Sequence, residues 1–252
     1  MHSIGIIPAR FASTRLPGKP LVDLGGRSMI RRVVEQAQQA RLSRVVVATD
    51  DQRILEHVQG FGGEAVLTHP DHPSGTDRVW EAYQQLGVSA GCVVNIQGDE
   101  PFIHPAQINA LLDVFADAST QIATLVKPVV SDEELQSPHL PKVILGAAGE
   151  ALYFSRHPIP YLRQYPESEW RTHHRYLRHI GLYAYRPAVL QQLTQLAPAP
   201  LELAESLEQL RWLTHGFRIH TAETELETIG IDTPEDVERA LRHLATVGTA
   251  EA

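Results

Sequence analysis

Between Pro8 and Pro20 the chain reads PARFASTRLPGKP, placing Arg10, Arg15 and Lys19 together without one carboxylate in a protein of formal charge -8. The stretch follows the apolar run Ile4 to Ile7, which reads as a buried strand ending at Pro8. A basic loop launched from the end of a first strand is placed and charged to hold phosphates. Ser13 and Thr14 add hydroxyl donors, and Gly18 lets backbone N–H groups come close to a ligand. A solvated loop with its cations facing water would carry the same charge, so partners elsewhere must decide. Asp99, in QGDEP just past a predicted strand, is well placed to hold Mg²⁺, which takes one or two carboxylates plus phosphate oxygens and water. Gly98 to Pro101 would also make an ordinary turn; the basic loop tips the reading toward metal. Asp232, in GIDTPED, stands at the start of the last helix. If Thr233 caps that helix, with Pro234 at its first position and Asp236 at its third, nothing is required of Asp232. If Asp232 is the cap, its carboxylate is already explained, and the second metal carboxylate stays open. HPSGTDR, His72 to Arg78, opens another helix in which Ser74 or Thr76 can be the N-cap. Capping alone would account for them, so a ligand contact is open there too.

The elements that must carry these residues alternate through the first half. Met29 to Ala40 has a helical stripe of Met29, Ile30, Val33, Val34 and Ala37. RVVVAT, Arg44 to Thr49, is a β-branched strand closing on Asp50 and Asp51 before a helix with Ile54, Leu55 and Val58. Glu64 to Leu67 is a short strand, and Gly91 to Gln97 is a further buried one. Strand–helix alternation predicts an α/β fold with a doubly wound sheet, whose ligands belong at the carboxyl ends of the strands. The basic loop, Asp50 and Asp99 all fall there. In the second half Ile122 to Val130, Lys142 to Leu145, His179 to Arg186 and Arg218 to Thr221 read as strands. Pro187 to Leu196 is a helix stopped by APAP. Leu201 to His215 reads as one acidic amphipathic helix, and Thr233 to Ala245 as the last.

A chain of 252 residues with 43% hydrophobic and 21% charged residues can bury a full α/β core. Its negative charge argues against general nucleic-acid binding, which needs a broad cationic surface. The single cysteine, Cys92, excludes an intramolecular disulfide and sits in the apolar run CVVNI as a core residue. No targeting segment precedes the first strand, and no apolar run approaches the roughly 20 residues of a membrane span, so the cytoplasm is the expected address. The 13 histidines have no zinc-type spacing. Serine-hydrolase elbow, Walker ending and dinucleotide fingerprint are all missing.

Eight segments, in order, resemble the successive motifs of the 3-deoxy-manno-octulosonate cytidylyltransferases, the CMP-Kdo synthetases. They are IIPARFASTRLPGKPL, VATDD, SGTDR, NIQGDEP, ALYFSR, RHIGLYAYR, the stretch ending LEQLR, and GIDTPED. The resemblance implies one nucleotidyltransferase domain, with residues 1–120 and 216–252 binding nucleotide and a smaller inserted lobe, residues 121–215, for sugar binding and dimerisation. It implies CTP and Kdo as substrates, Mg²⁺ as cofactor, a homodimer, and a product used for lipopolysaccharide. It gives Arg10, Ser13, Arg15 and Lys19 to the CTP phosphates, with Arg15 and Lys19 neutralising charge on the departing pyrophosphate. Ser74, Arg78 and Gln97 go to the nucleotide, and Asp99 and Asp232 to the metal. Arg156, His179, Tyr183, Glu205 and Gln209 are implied to line the sugar-acid pocket. Local spacing is compatible with this: Glu205, Glu208 and Gln209 would share a face of the expected helix, and His179 and Tyr183 one side of a strand. HLPKV and the segment Arg163 to Arg175 depart from the pattern. The alternatives are a cytidylyltransferase for 8-amino-Kdo or a sialic acid, and a non-catalytic nucleotide-sensing module.

Overall fold

Ile4, Ile6 and Ile7 are fully buried in β1 (Ser3–Ala9), the strand around which the first half of the chain assembles. A computed structural model describes residues 2–12 and 16–248. The chain forms two compact units, Met1–Asn109 with Glu227–Ala252, and Ala110–Leu226. In the first, β1 pairs in parallel with β2 (Arg44–Thr49) on one side and with β4 (Cys92–Asn95) on the other. The short β3 (Glu64–Leu67) extends the sheet beyond β2, giving the order β3-β2-β1-β4. Three parallel pairings demand helical crossovers, which α1 (Met29–Ala37), α2 (Gln52–Gly60) and α3 (Gly75–Leu86) supply.

Each helix starts where its sequence allows a cap. Ser28 Oγ accepts the Arg31 N–H, Asp51 the Arg53 N–H and Ser74 the Asp77 N–H. The predicted α1 stripe is the buried one: Met29, Ile30, Val33, Val34 and Ala37. Burying side chains of this size stabilises the fold by about 1.5–3 kcal/mol each. Cys92 is fully buried in β4, as expected of a core residue.

α4 (Pro105–Val114) leads to the second unit. There β5 (Ile122–Pro128) is the centre, antiparallel to β8 (Leu177–Tyr185) and parallel to β9 (Ile219–Glu223). The helix α5 (Asp132–Gln136) precedes a hairpin of β6 (Lys142–Leu145) and β7 (Ala151–Ser155), with β6 also pairing antiparallel to β8. The Pro- and Tyr-rich segment after β7 includes the short α6 (Trp170–His173). Trp170 and Tyr176 close over Leu135 there as a small separate core. β9, which the sequence reading grouped with the nucleotide-binding part, pairs with β5 inside this second unit.

After β8 come α7 (Pro187–Leu193), α8 (Pro200–Glu205) and α9 (Gln209–Thr214). The single helix expected over Leu201 to His215 is therefore two. It breaks at Ser206, which takes the left-handed conformation at φ 50°, ψ 49°. The chain returns to the first unit in α10 (Pro234–Gly248). Among the described residues no helix is long and apolar enough to cross a membrane.

Candidate active site

The main chain brings the two acidic turns together before any side chain acts. The N–H of Ile231 donates to the carbonyl of Asp99 at 2.9 Å, tying GIDTPED to QGDEP. Gly98 is required where this turn crosses β1, because a Cβ there would lie 2.8 Å from the carbonyl oxygen of Pro8. The cap left open for α10 falls to Thr233: its Oγ1 accepts the Asp236 N–H, while Asp236 Oδ2 accepts the N–H groups of Asp232 and Thr233. The Asp232 carboxylate is thus not used to start the helix. It meets Lys19 instead.

Lys19 stands in a 3-10 turn, Lys19–Leu21, launched by Gly18 at φ 67°. Its Nζ donates to Asp99 Oδ2 at 2.7 Å and to Asp232 Oδ1 at 3.0 Å. Burial pulls the Lys19 pKa down, but the two carboxylates outweigh it and hold it above its ordinary value. Two carboxylate oxygens converging on one ammonium group form a hard-oxygen seat for a cation, the donor chemistry that Mg²⁺ prefers. Asp99 and Asp232 therefore fit a divalent ion completed by phosphate oxygens and water.

These three residues line a cleft of about 460 Å³ with Arg10, Ser74, Arg78 and Gln97. Arg10 is exposed at the rim. Ser74 both caps α3 and donates to Asp77 Oδ2 at 2.6 Å. Arg78 is buried, its guanidinium bonded to Thr68 Oγ1 at 2.5 Å and to Asp50 Oδ2 at 3.0 Å. Ser13 and Arg15 lie outside the described residues.

Three contributors were given no role by the sequence reading, although it placed Asp50 at the carboxyl end of a strand. Asp50 joins the cleft wall to the loop, because besides Arg78 it accepts the N–H of Phe11 at 3.4 Å. The Phe11 ring carries the Arg53 guanidinium 3.4 Å from its centroid, and its carbonyl accepts the Gly18 N–H at 3.1 Å. The loop's two ends are fastened by these contacts. His72 also lines the cleft, its ring held by Glu81. The acid pair Asp50–Asp51 closing a strand was the available signal for the first; nothing in the spacing marks the others.

The sugar-site candidates of the second unit fall into two groups. Around β8, His179 and Tyr183 lie on one side of the strand with ring centroids 5.2 Å apart. Tyr183 meets the ring of Trp212 edge-on at 5.0 Å. Thr124 Oγ1 bonds His179 Nε2 at 2.9 Å. Burial drives the His179 pKa down to about 3, keeping the ring neutral, and pushes Tyr183 well above its usual value. Gln209 is buried on α9, and its Nε2, like Nε1 of Trp212, has no hydrogen-bond partner among the described residues. Buried donors left unpaired are costly in a finished core.

Arg156 and Glu205 form the other group, in a different manner from the expected one. Glu205 Oε1 accepts from Ser155 Oγ at 2.7 Å and Oε2 from the Arg156 N–H at 2.9 Å. The Arg156 guanidinium donates to the carbonyls of Glu205, Pro138 and Ser206. Two of its five N–H groups thus brace the α8–α9 break, and a third ties it to Pro138 ahead of β6. Because that break lies between them, Glu205 shares no helix face with Glu208 and Gln209.

Comparison with known proteins names the scaffold. A cytidylyltransferase family model matches residues 4–224. The 3-deoxy-manno-octulosonate cytidylyltransferase of Parabacteroides distasonis is 58% identical, covering 97% of this chain and 99% of its own. That of Cytophaga hutchinsonii is 53% identical over 94% of this chain and 95% of its own. This chain belongs to that family. A solved CMP:2-keto-3-deoxy-manno-octonic acid synthetase complexed with CTP superposes with TM-score 0.90 at 43% identity, covering 98% of this chain and 99% of its own. A putative glucose-1-phosphate thymidylyltransferase from Bacillus anthracis shares the fold alone, at TM-score 0.66 and 17% identity over 96% of this chain and 94% of its own. The α/β nucleotidyltransferase fold and the enzymatic nature expected from the motifs both hold for this family member.

Proposed function

We propose that the protein transfers CMP from CTP to the anomeric hydroxyl of 3-deoxy-D-manno-octulosonate, releasing pyrophosphate. Carrying the reading is the convergence of Lys19, Asp99 and Asp232 in one cleft at the carboxyl ends of parallel strands. A nucleotide-sensing module would need the basic loop but not this paired carboxylate seat.

In this reading Arg10 and Lys19 hold the CTP phosphates through charge-assisted hydrogen bonds. With them act Ser13 and Arg15 of the same loop. Ser74, Arg78 and Gln97 position the nucleotide, Arg78 with its orientation fixed by Asp50 and Thr68. Asp99 and Asp232 would hold Mg²⁺, which when bound would supply charge neutralisation at the reacting phosphate and make the attacking hydroxyl more acidic. Displacement at phosphorus is driven by positioning and charge stabilisation, so no side-chain base is obligatory. Lys19 and Arg15 neutralise charge growing on the pyrophosphate.

The sugar acid is assigned to the second unit. The unpaired donor of Gln209, three residues before Trp212 on α9 and so on the same helix face, supports a ligand rich in hydroxyls. His179 stays a neutral hydrogen-bonding ring there. Arg156 retains N–H groups beyond the three that meet carbonyls, and Glu205 fixes its backbone. A dimer, a cytoplasmic location and supply of lipopolysaccharide synthesis complete the proposal. Lys19→Ala and Arg10→Ala test the phosphate assignment at saturating Kdo: the apparent affinity for CTP falls about tenfold or more for each lost charged contact. A shift confined to the sugar's saturation curve would reverse the assignment.

A further inference from the structure

Lys19 sits where the divalent cation should go. Its Nζ is 2.7 Å from Asp99 Oδ2 and 3.0 Å from Asp232 Oδ1, so one ammonium group serves both carboxylates at once. A magnesium ion using the same oxygens would stand about 2.0–2.1 Å from them in octahedral geometry, which leaves no room for the ammonium. The two cations would also repel, more than in bulk water because the Lys19 side chain is only 15% exposed.

The backbone beneath Lys19 gives the charge few ways to yield. Gly18 holds the left-handed turn, its N–H bonded to Phe11, and the next residue, Pro20, is buried. Movement is left to the lysine's flexible four-carbon stem. Anything that removes Nζ from the carboxylates must offer that stem another anion nearby. Arg10, Ser74, Gln97 and Arg78 line the same cleft, so phosphate groups bound there would be within the region the stem can sweep.

We propose that, given the reading of Asp99 and Asp232 as the cation site, Lys19 is the resident cation of that site in the nucleotide-free protein and leaves it for the phosphates of CTP. The divalent ion then loads with the nucleotide or after it, never ahead of it. Lys19 thereby has two successive partners, the carboxylate pair and the phosphates. The resting enzyme carries little bound metal.

Manganese(II) is the probe, titrated into nucleotide-free protein and read from the electron paramagnetic resonance signal of the free ion. Lys19→Met and Lys19→Gln are expected to bind Mn²⁺ about tenfold or more tightly than wild type, as removal of a charged competitor from two carboxylates requires. Lys19→Gln keeps a hydrogen-bond donor while removing the charge, and with thermal melts it separates loss of fold from loss of competition. Adding Asp99→Asn to either variant should abolish the gain. Equal Mn²⁺ affinity in wild type and variants, lost in each on Asp99→Asn, overturns the proposal while leaving the cation site standing. Absence of any Asp99-dependent Mn²⁺ binding in the Lys19 variants removes the cation site itself, and the proposal with it.

Discussion

Asp99 concentrates the chemistry at the residue scale, because its backbone carbonyl anchors Ile231 while its carboxylate faces Lys19. Asp99→Ala is expected to abolish turnover and leave the fold intact, since the forfeited charge stabilisation is worth several kcal/mol, hence orders of magnitude in rate. Steady-state kcat beside a thermal melt checks this; more than about a tenth of wild-type kcat would remove Asp99 from the centre. His179 makes a second prediction. Its folded-state pKa of about 3 lies below the ordinary 6.5, so the neutral ring belongs to the native state and the unfolded chain takes the proton first. The stability it contributes is intact above pH 6.5 and is lost progressively as pH falls toward 3. His179→Gln should flatten the pH dependence of the unfolding free energy across that window; parallel wild-type and variant curves would contradict it. Lys19 and Asp99 were legible because a carboxylate-free basic loop in an acidic chain, followed by an acid after a strand, is an uneven distribution of charge. Asp232 was not settled, because Thr233 stands next to it and either side chain can cap a helix. Only geometry assigned the cap.

Elements decide what a correct residue can do. The stretch LELAESLEQLRWLTH keeps helical periodicity with no Gly or Pro inside it, so nothing in its pattern marks the turn at Ser206. What makes the break tenable is far away in sequence: Arg156 donates to the carbonyls of Glu205 and Ser206, and Glu205 returns its carboxylate to Ser155 and the Arg156 N–H. Such a contact, formed about fifty residues apart, has no local signature. Arg156→Ala is therefore expected to have two effects. Loss of the carbonyl braces lowers stability by about 1–3 kcal/mol. The Kdo KM rises about tenfold or more as a charged hydrogen bond is lost, while CTP binding by calorimetry stays near wild type. Denaturant titration reads the first effect and substrate saturation the second. Loss of CTP binding with unchanged Kdo saturation would exchange the roles given to the two units.

Across the whole molecule, legibility follows the sequence distance of the contacts. The first unit is built from consecutive strand–helix steps, each burying a periodic stripe such as that of α1, and its parallel order could be anticipated. In the second, β5 pairs with β8 and with β9, each reached only after a long stretch of intervening chain, and its antiparallel and parallel pairings are not written in any local period. The motifs gave the family where periodicity gave only strands. The central claim, that this scaffold joins CTP to Kdo, is tested most directly by pyrophosphate release from purified protein, with Kdo, 8-amino-Kdo and a sialic acid compared, with and without Mg²⁺. Release that requires CTP, Kdo and the metal together, with CMP-Kdo as the product by mass spectrometry, is the predicted result. No release with Kdo, or release only with one of the other sugar acids, would contradict it.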